Sequence, residues 1–324
     1  MSNIEVVGLG ALNIDHLYRV ERILDDGEAV VNEAKSFPGG SAANTIYGLA
    51  KLGVNTGYTG VVGGDAEGKI LLQDFQKVGV DTSQIRVKPV RTGSVLCLSD
   101  RLGRRSLYVI PGANSLLTMD DSDLTYINQA KWLHLSSFAD DRQFKVLLEL
   151  IDRLASSVKL SFAPGVLHAI KELAILSPIL NRTHLLFVNQ REIRHLTGED
   201  VIAGAESCLK QGCRMVVVTL GKGMRLELSR RTVTAVCYIR DAENEYAIEP
   251  SSQDIVSEVD ATGAGDAFAA GFLYGLLKGK GLNECGCLGD IVARFSLTKL
   301  GAREGLPTFT ELAQRHHELY NQQL

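Results

Sequence analysis

The chain has 324 residues, 45% of them apolar and 22% charged, with a formal net charge of −4, a balance that suits a globular protein with a large core. The near-neutral, slightly acidic charge excludes the basic footprint of a nucleic-acid binder or of a protein held on an anionic membrane. The longest apolar runs, such as Met215 to Leu220, are strand-sized and too short to span a bilayer.

In chain order, Ile4 to Gly8 reads as the first strand. The following 8-GLGALN-13 carries two glycines of a dinucleotide fingerprint, but Asn13 stands where the third belongs and no helix follows. A nucleotide-linked oxidoreductase is set aside on that ground. Asn13 and Asp15 lie just past the carboxyl end of a strand, where doubly wound sheets bind ligands. They suit the hydroxyls of a polyol, and equally ordinary turn chemistry. From Asp15 to Phe37 the chain reads as extended strands and turns without a helix. Then 38-PGGSAANTIYGLAKLG-53 predicts a helix over Ser41 to Leu52 that ends at Gly53. Gly39 and Gly40 permit close backbone approach, Ser41 can cap, and Asn44 faces the same small polar spot, which is either a plain helix entry or a ligand contact.

Thr56 to Val62 reads as a strand and Gly68 to Val78 as a helix. Val90 to Ile110 is a second extended stretch, with a hairpin at 99-SDRLG-103. The two inserted stretches are expected to form a small accessory sheet, which is either an active-site lid or a surface embellishment. Lys131 to Leu135, Lys159 to Phe162, His184 to Val188 and Met215 to Thr219 read as further strands. Arg142 to Ala155 and Gly204 to Gln211 read as helices between them. The alternation predicts βαβ units in an α/β, doubly wound, mainly parallel sheet. With no linker or repeat, residues 1–324 are expected to form one domain with lid segments at about 15–37 and 90–110. The N-terminus lacks the pattern of a signal peptide, and the six scattered cysteines are expected to be reduced thiols, so a cytoplasmic location is expected.

Three later motifs carry chemistry. Asn189 with Glu192 has the form of a capping box after a strand, and can also place a hydrated magnesium ion near phosphates. Thr219-Leu-Gly221 at a strand end suits a nucleotide, and a plain turn as well, while the absence of G-x-x-x-x-G-K-[ST] excludes a P-loop. The third is 260-DATGAGDAFAAGF-272, a glycine turn opening a buried helix with Phe268 and Phe272 at helical spacing. Such a helix start favours anions, yet Asp266 places an anion there. Both facts fit if the N–H groups around Gly263, Ala264, Gly265 and Asp266 stabilise charge on a transferring phosphoryl group while the carboxylate takes the proton of an attacking hydroxyl. The competing reading is that Asp266 only complements the helix dipole; it leaves Gly-Ala-Gly unexplained.

With these motifs the chain resembles, over essentially its whole length, the ribokinase or PfkB family of carbohydrate and nucleoside kinases. Residues 260–272 resemble the family's C-terminal signature and 39-GGSAANTIYGLAKLG-53 its N-terminal one. The resemblance implies a ribokinase-like fold and an ATP-dependent kinase that phosphorylates the primary hydroxyl of a small sugar. It implies Asp266 as general base beside an anion hole at Gly263, Ala264 and Gly265. It implies acceptor contacts at Asn13, Asp15, Gly39, Gly40 and Asn44, nucleotide contacts at Asn189, Thr219 and Gly221, and magnesium near Glu192. Some relatives need potassium, held near the equivalents of Asp260 and Thr262, and in several the lid also forms a homodimer clasp. Departures leave the acceptor open. Gly223 comes one residue early for T-x-G-x-x-G, Ser41 stands where ribose-specific relatives often have lysine, and Ser136-Ser137-Phe138 lacks their glutamate. With 162-FAPG-165 these features also resemble nucleoside kinases. A non-catalytic binding relative is the alternative from another class, and the intact Asn189, Glu192, Gly263, Gly265 and Asp266 count against it.

Overall fold

In the computed structural model, which describes residues 4–102, 104–228, 231–250 and 258–324, strands and helices alternate as the patterning predicts. In order they are β1 (Val6–Leu9), β2 (Asn13–Val20), β3 (Val31–Gly39), α1 (Ser41–Lys51), β4 (Thr56–Gly63), α2 (Ala66–Lys77), β5 (Asp81–Lys88), β6 (Gly93–Asp100) and β7 (Arg105–Ile110). There follow α3 (Asp121–Asn128), β8 (Trp132–Ser136), α4 (Asp141–Arg153), β9 (Lys159–Ala163), α5 (Gly165–Ala169), α6 (Leu173–Arg182), β10 (Thr183–Asn189), α7 (Gln190–Thr197) and α8 (Val201–Lys210). The chain continues through β11 (Met215–Leu228), β12 (Arg231–Asp241), β13 (Glu245–Ile248), α9 (Ala264–Leu277), α10 (Leu282–Ser296) and α11 (Phe309–Tyr320).

The main sheet has nine strands in the order β13-β12-β11-β10-β9-β8-β1-β4-β5. From β5 to β11 every pairing is parallel, and β12 and β13 close the far edge antiparallel. Parallel strands buried on both faces read as continuous apolar runs, and all eight residues of β4 are buried. Alternate strand residues then feed two separate cores. Val7, Leu9, Leu133 and Leu135 join Leu147, Ile179 and Ile193 under one helical layer. Val6 and Trp132 join Ile46, Leu49, Phe75, Phe268, Phe272 and Leu288 under the other. The cysteines are free, five of them buried and Cys287 partly so.

The inserted stretches pair with each other in a second sheet of four strands, ordered β3-β2-β6-β7. β2 runs antiparallel to β3 and parallel to β6, and β6 and β7 form the expected hairpin, whose Gly103 lies outside the described residues. One expectation fails. The strand from Met215 does not end at Thr219 but resumes after a register shift between Thr219 and Met224, and continues to Leu228. Gly221 (φ 60°) and Gly223 (φ 115°) supply the left-handed backbone that lets the chain bulge and rejoin.

Helices α1 and α9 pack directly, and a glycine sets how closely. A Cβ at Gly48 would sit 2.9 Å from the Ala270 Cβ. Four residues earlier on each helix, and so on the same face, stand Asn44 and Asp266. The Gly48–Ala270 contact thus fixes the spacing of the polar pair one turn away. We expect Gly48→Ala to lose up to a net ~2 kcal/mol in denaturant titration, overpacking of about 1–3 kcal/mol set against the roughly 1 kcal/mol that alanine gains in a helix. A net gain in stability would show that the helices part without strain.

Candidate active site

Helix α9 begins with Gly263 as its N-cap, in the left-handed region at φ 74°. A Cβ there would meet the Ala302 Cβ at 2.5 Å, so the position requires glycine twice over. Of the first N–H groups, Ala264 bonds the Ala261 carbonyl at 3.3 Å and Ala267 returns to Gly263 at 2.8 Å. Among the described residues the Gly265 and Asp266 N–H groups have no partner, so the helix start offers two donors, with Ala264 drawn into the turn. Gly265 is exposed, and a Cβ on it would meet nothing within 4 Å.

Asp266 is held from α1. The Ser41 hydroxyl donates to its Oδ1 at 2.7 Å and the Asn44 amide to its Oδ2 at 2.8 Å, while Thr45 donates to its backbone carbonyl at 3.2 Å. Ser41 therefore does not cap its helix. Gly40 is the N-cap, at φ 99°, with a would-be Cβ only 2.1 Å from the Ala11 carbonyl oxygen. Burial pushes Asp266 up to about 6, against the pull of the Asn44 and Ser41 hydrogen bonds and of Arg303, with Glu192 adding to the rise.

The carboxyl ends of β10 and β11 complete the pocket. Asn189 and Thr219 are register partners, and with Ser41, Glu192, Gly265 and Asp266 they line a cavity of about 90 Å³. Asn189 and Glu192 form a full reciprocal capping box: the Asn189 Oδ1 accepts from the Arg191 and Glu192 N–H groups at 2.9 Å, and the Asn189 N–H donates to Glu192 Oε2 at 2.9 Å. The capping reading and the pocket-lining reading hold together, since burial raises Glu192 above the usual carboxylate range at the pocket wall. Gly221 lies in the bulge and does not line this cavity.

The residues expected to meet an acceptor lie on β2, at the end of β3 and at the start of α1. Asn13 is buried and its Oδ1 accepts from Asn114 at 2.9 Å. Asp15 packs over the Gly39 backbone, where a Cβ would lie within 2.5 Å of its carboxylate. Burial lifts Asp15 to about 7; the Arg303 charge opposes this, and Asp266 and Asp260 reinforce it. Asn44 is occupied on both ends, by Asp266 and by the Arg303 Nε at 2.9 Å.

Two arginines of this site carry no motif. Arg303, 3% exposed, also donates from Nη1 to Asp74 at 2.7 Å and from Nη2 to the Gly39 carbonyl at 3.0 Å. Arg105, at the start of β7, reaches across to Asp260 and Thr262. Burial works against ionisation of Asp260, but the Gly301 N–H, Thr262 and the Arg105 charge together hold it below the usual range. An isolated arginine in a loop gives no periodic signal, and only the tertiary fold shows what it grips.

A helix start with open N–H groups and a carboxylate inside it thus stands at the carboxyl edge of the parallel sheet. The chain matches the model of the pfkB family carbohydrate kinases over residues 3–309. It belongs to that family, and is a kinase of the sugar and nucleoside class. An uncharacterized sugar kinase of Archaeoglobus fulgidus is 38% identical over 260 residues, 80% of this chain and 98% of that one. A cytidine kinase of Thermococcus kodakarensis is 30% identical over 300 residues, 92% of this chain and 98% of its own. The crystal structure of a ribokinase from Thermotoga maritima superimposes with a TM-score of 0.78 at 25% identity, covering 95% of this chain and 98% of that one. No helix among the described residues is long and apolar enough to cross a membrane.

The raised Asp15 carboxyl has a consequence for stability. A carboxyl whose folded pKa exceeds its unfolded one favours the fold below the unfolded value, and that contribution is lost as pH rises through about 7. We therefore expect Asp15→Asn to stabilise the unliganded protein at pH 8 by on the order of 1 kcal/mol, discounted because the side chain retains some contact with water, and to change little at pH 4. Equal stability of the two proteins at pH 8, by denaturant titration, would remove the strain assigned to this carboxylate.

Proposed function

We propose that the protein is an ATP-dependent kinase that transfers a γ-phosphoryl group to the primary hydroxyl of a small sugar, with Asp266 as general base. The observation that carries this reading is the Asp266 carboxylate, fixed by Ser41 and Asn44 beside the free Gly265 and Asp266 N–H groups. The hydroxyl oxygen attacks the γ-phosphorus as its proton passes to Asp266, the bond to the leaving ADP oxygen breaks, and the two N–H donors face the charge on the transferring group. With a pKa of about 6, the base is largely ionised at neutral pH. Asn189 and Thr219 are assigned to the nucleotide side, and Gly221 stands further off in the bulge.

The donor set fits magnesium of one kind. Among the described residues no cluster of three or more His, Cys, Asp or Glu is arranged to hold a metal, which suits an ion held by phosphate, water and a single carboxylate such as Glu192. When bound, magnesium would neutralise charge on the phosphates. A potassium ion, where one is needed, would be held by backbone carbonyls near Asp260 and Thr262, whose side chains are taken up by Arg105.

Asp15 and Asn13 on β2 suit the hydroxyls of the acceptor, and the four-stranded sheet that carries them suits a lid that excludes water. The sheet ends in β7, where Leu107, Tyr108 and Ile110 are exposed. That edge supports a homodimer clasp. Cytosolic ATP and the buried free thiols fit a cytoplasmic location. A nucleoside acceptor is the second reading, favoured by the 30% identity to a cytidine kinase and by Ser136 in place of the glutamate of ribose-specific relatives.

ADP release measured over a panel of free sugars and nucleosides separates the two acceptors. We expect turnover with a pentose or hexose, and turnover with nucleosides alone reverses the preference. Asp266→Asn should lower kcat by at least ~10²–10⁴-fold while ATP still binds. If the carboxylate only complements the helix dipole, the change instead costs about 0.3–1 kcal/mol of stability and kcat stays near normal.

A further inference from the structure

Arg303 lies outside both sequence signatures, yet all three of its guanidinium nitrogens donate hydrogen bonds. Its guanidinium centre stands 5.2 Å from the Tyr47 ring and 5.2 Å from the Phe75 ring, held between α1 and α2. Its N–H groups are shared among three acceptors on three segments: Asn44 Oδ1, Asp74 Oδ2 and the Gly39 carbonyl. A planar fork with every edge engaged has one orientation.

That orientation decides how Asn44 faces Asp266. An asparagine amide can turn over, presenting either two donors or an acceptor to its neighbour. Because Arg303 donates to the oxygen, the nitrogen is left to donate to Asp266 Oδ2 at 2.8 Å. The opposite rotamer would set the amide oxygen against a carboxylate and leave a guanidinium N–H facing an NH₂ group. We propose that Arg303 is a positioning residue for the phosphoryl-transfer reaction, locking the Asn44 amide so that it holds Asp266 in place for proton abstraction. This rests on Asp266 being the base.

The charged groups that act on Asp266 are Arg303 and Glu192 from α7, with Asp15 from β2 coupled to it as a like charge. The Asn44 amide bond to Asp266 opposes the burial that raises this carboxyl, so loosening the Arg303 grip on Asn44 moves ionisation of the base to higher pH even where the positive charge is kept. A purely structural arginine would instead lower melting temperature and leave the pH profile where it was.

The test uses Asn44→Ala, Arg303→Lys and the double variant in the full chain, with magnesium, ATP and the best acceptor from the panel. Lysine keeps the charge and loses the fork. Each single change should lower kcat by about tenfold or more, shift the acid limb of the kcat–pH profile upward, and leave the KM for ATP within about twofold. Residues that act through one contact are not additive, so the double variant should fall no further than the worse single. An unmoved acid limb in Arg303→Lys, or losses that multiply in the double, overturns the proposal. If Arg303→Lys does not fold, Asn44→Ala decides alone, an unmoved limb again overturning it. Asp266→Asn run in parallel separates the two levels: normal turnover there removes the base and the positioning role with it, whereas a dead Asp266→Asn beside unmoved limbs removes only the positioning role.

Discussion

A carboxylate at the mouth of a helix, held from a second helix more than two hundred residues away in the chain, is the constraint on which the rest of this site depends. The helix start supplies unpaired N–H groups and a positive dipole end, and burial alone would favour a neutral Asp266. Ser41 and Asn44 counter that burial by donating to both carboxylate oxygens. Those donors reach it only because α1 and α9 approach at Gly48 and Ala270, and because Gly40 and Gly263 let each helix begin abruptly. The sheet fixes both helices through one continuous core of Ile46, Leu49, Phe268 and Phe272.

Three carboxylates gather at this end of the sheet, Asp15, Asp260 and Asp266, and two arginines answer them. The answer is unequal. Arg105 contacts Asp260 directly and brings the edge of the small sheet against the segment that leads into α9. Arg303 makes no hydrogen bond to Asp15 or Asp266; it acts on both through space, and on Asp266 also through Asn44. Asp260 is thereby held ionised, while Asp15 and Asp266 remain raised. Each of the two raised carboxyls is pulled the other way by the Arg303 charge.

The same residues serve the fold and the site without conflict. Asn189 and Glu192 complete the N-terminus of α7 by a reciprocal box, and that capping leaves them at the pocket wall. Gly263 satisfies the left-handed turn and the close approach of Ala302 together. A residue with two structural reasons to be where it is makes a rigid wall, and a rigid wall is what an oriented proton transfer requires.

The sequence by itself determined the layered α/β class, the strands from β1 to β11 in outline apart from β5, the two inserted stretches as something separate, and the two glycine-led helix starts. These are local properties: the periodicity of apolar residues, the conformational freedom of glycine and the chemistry of helix caps all act over a few residues. Only the tertiary structure decided that Ser41 bonds Asp266 instead of capping α1, that Asn44 is clasped between Asp266 and Arg303, that β11 runs on through a bulge, and that Arg303 and Arg105 belong to the site at all. Hydrogen bonds and ion pairs join whatever groups the packing brings within about 3 Å, and along the chain those partners lie too far apart for any local pattern to record them.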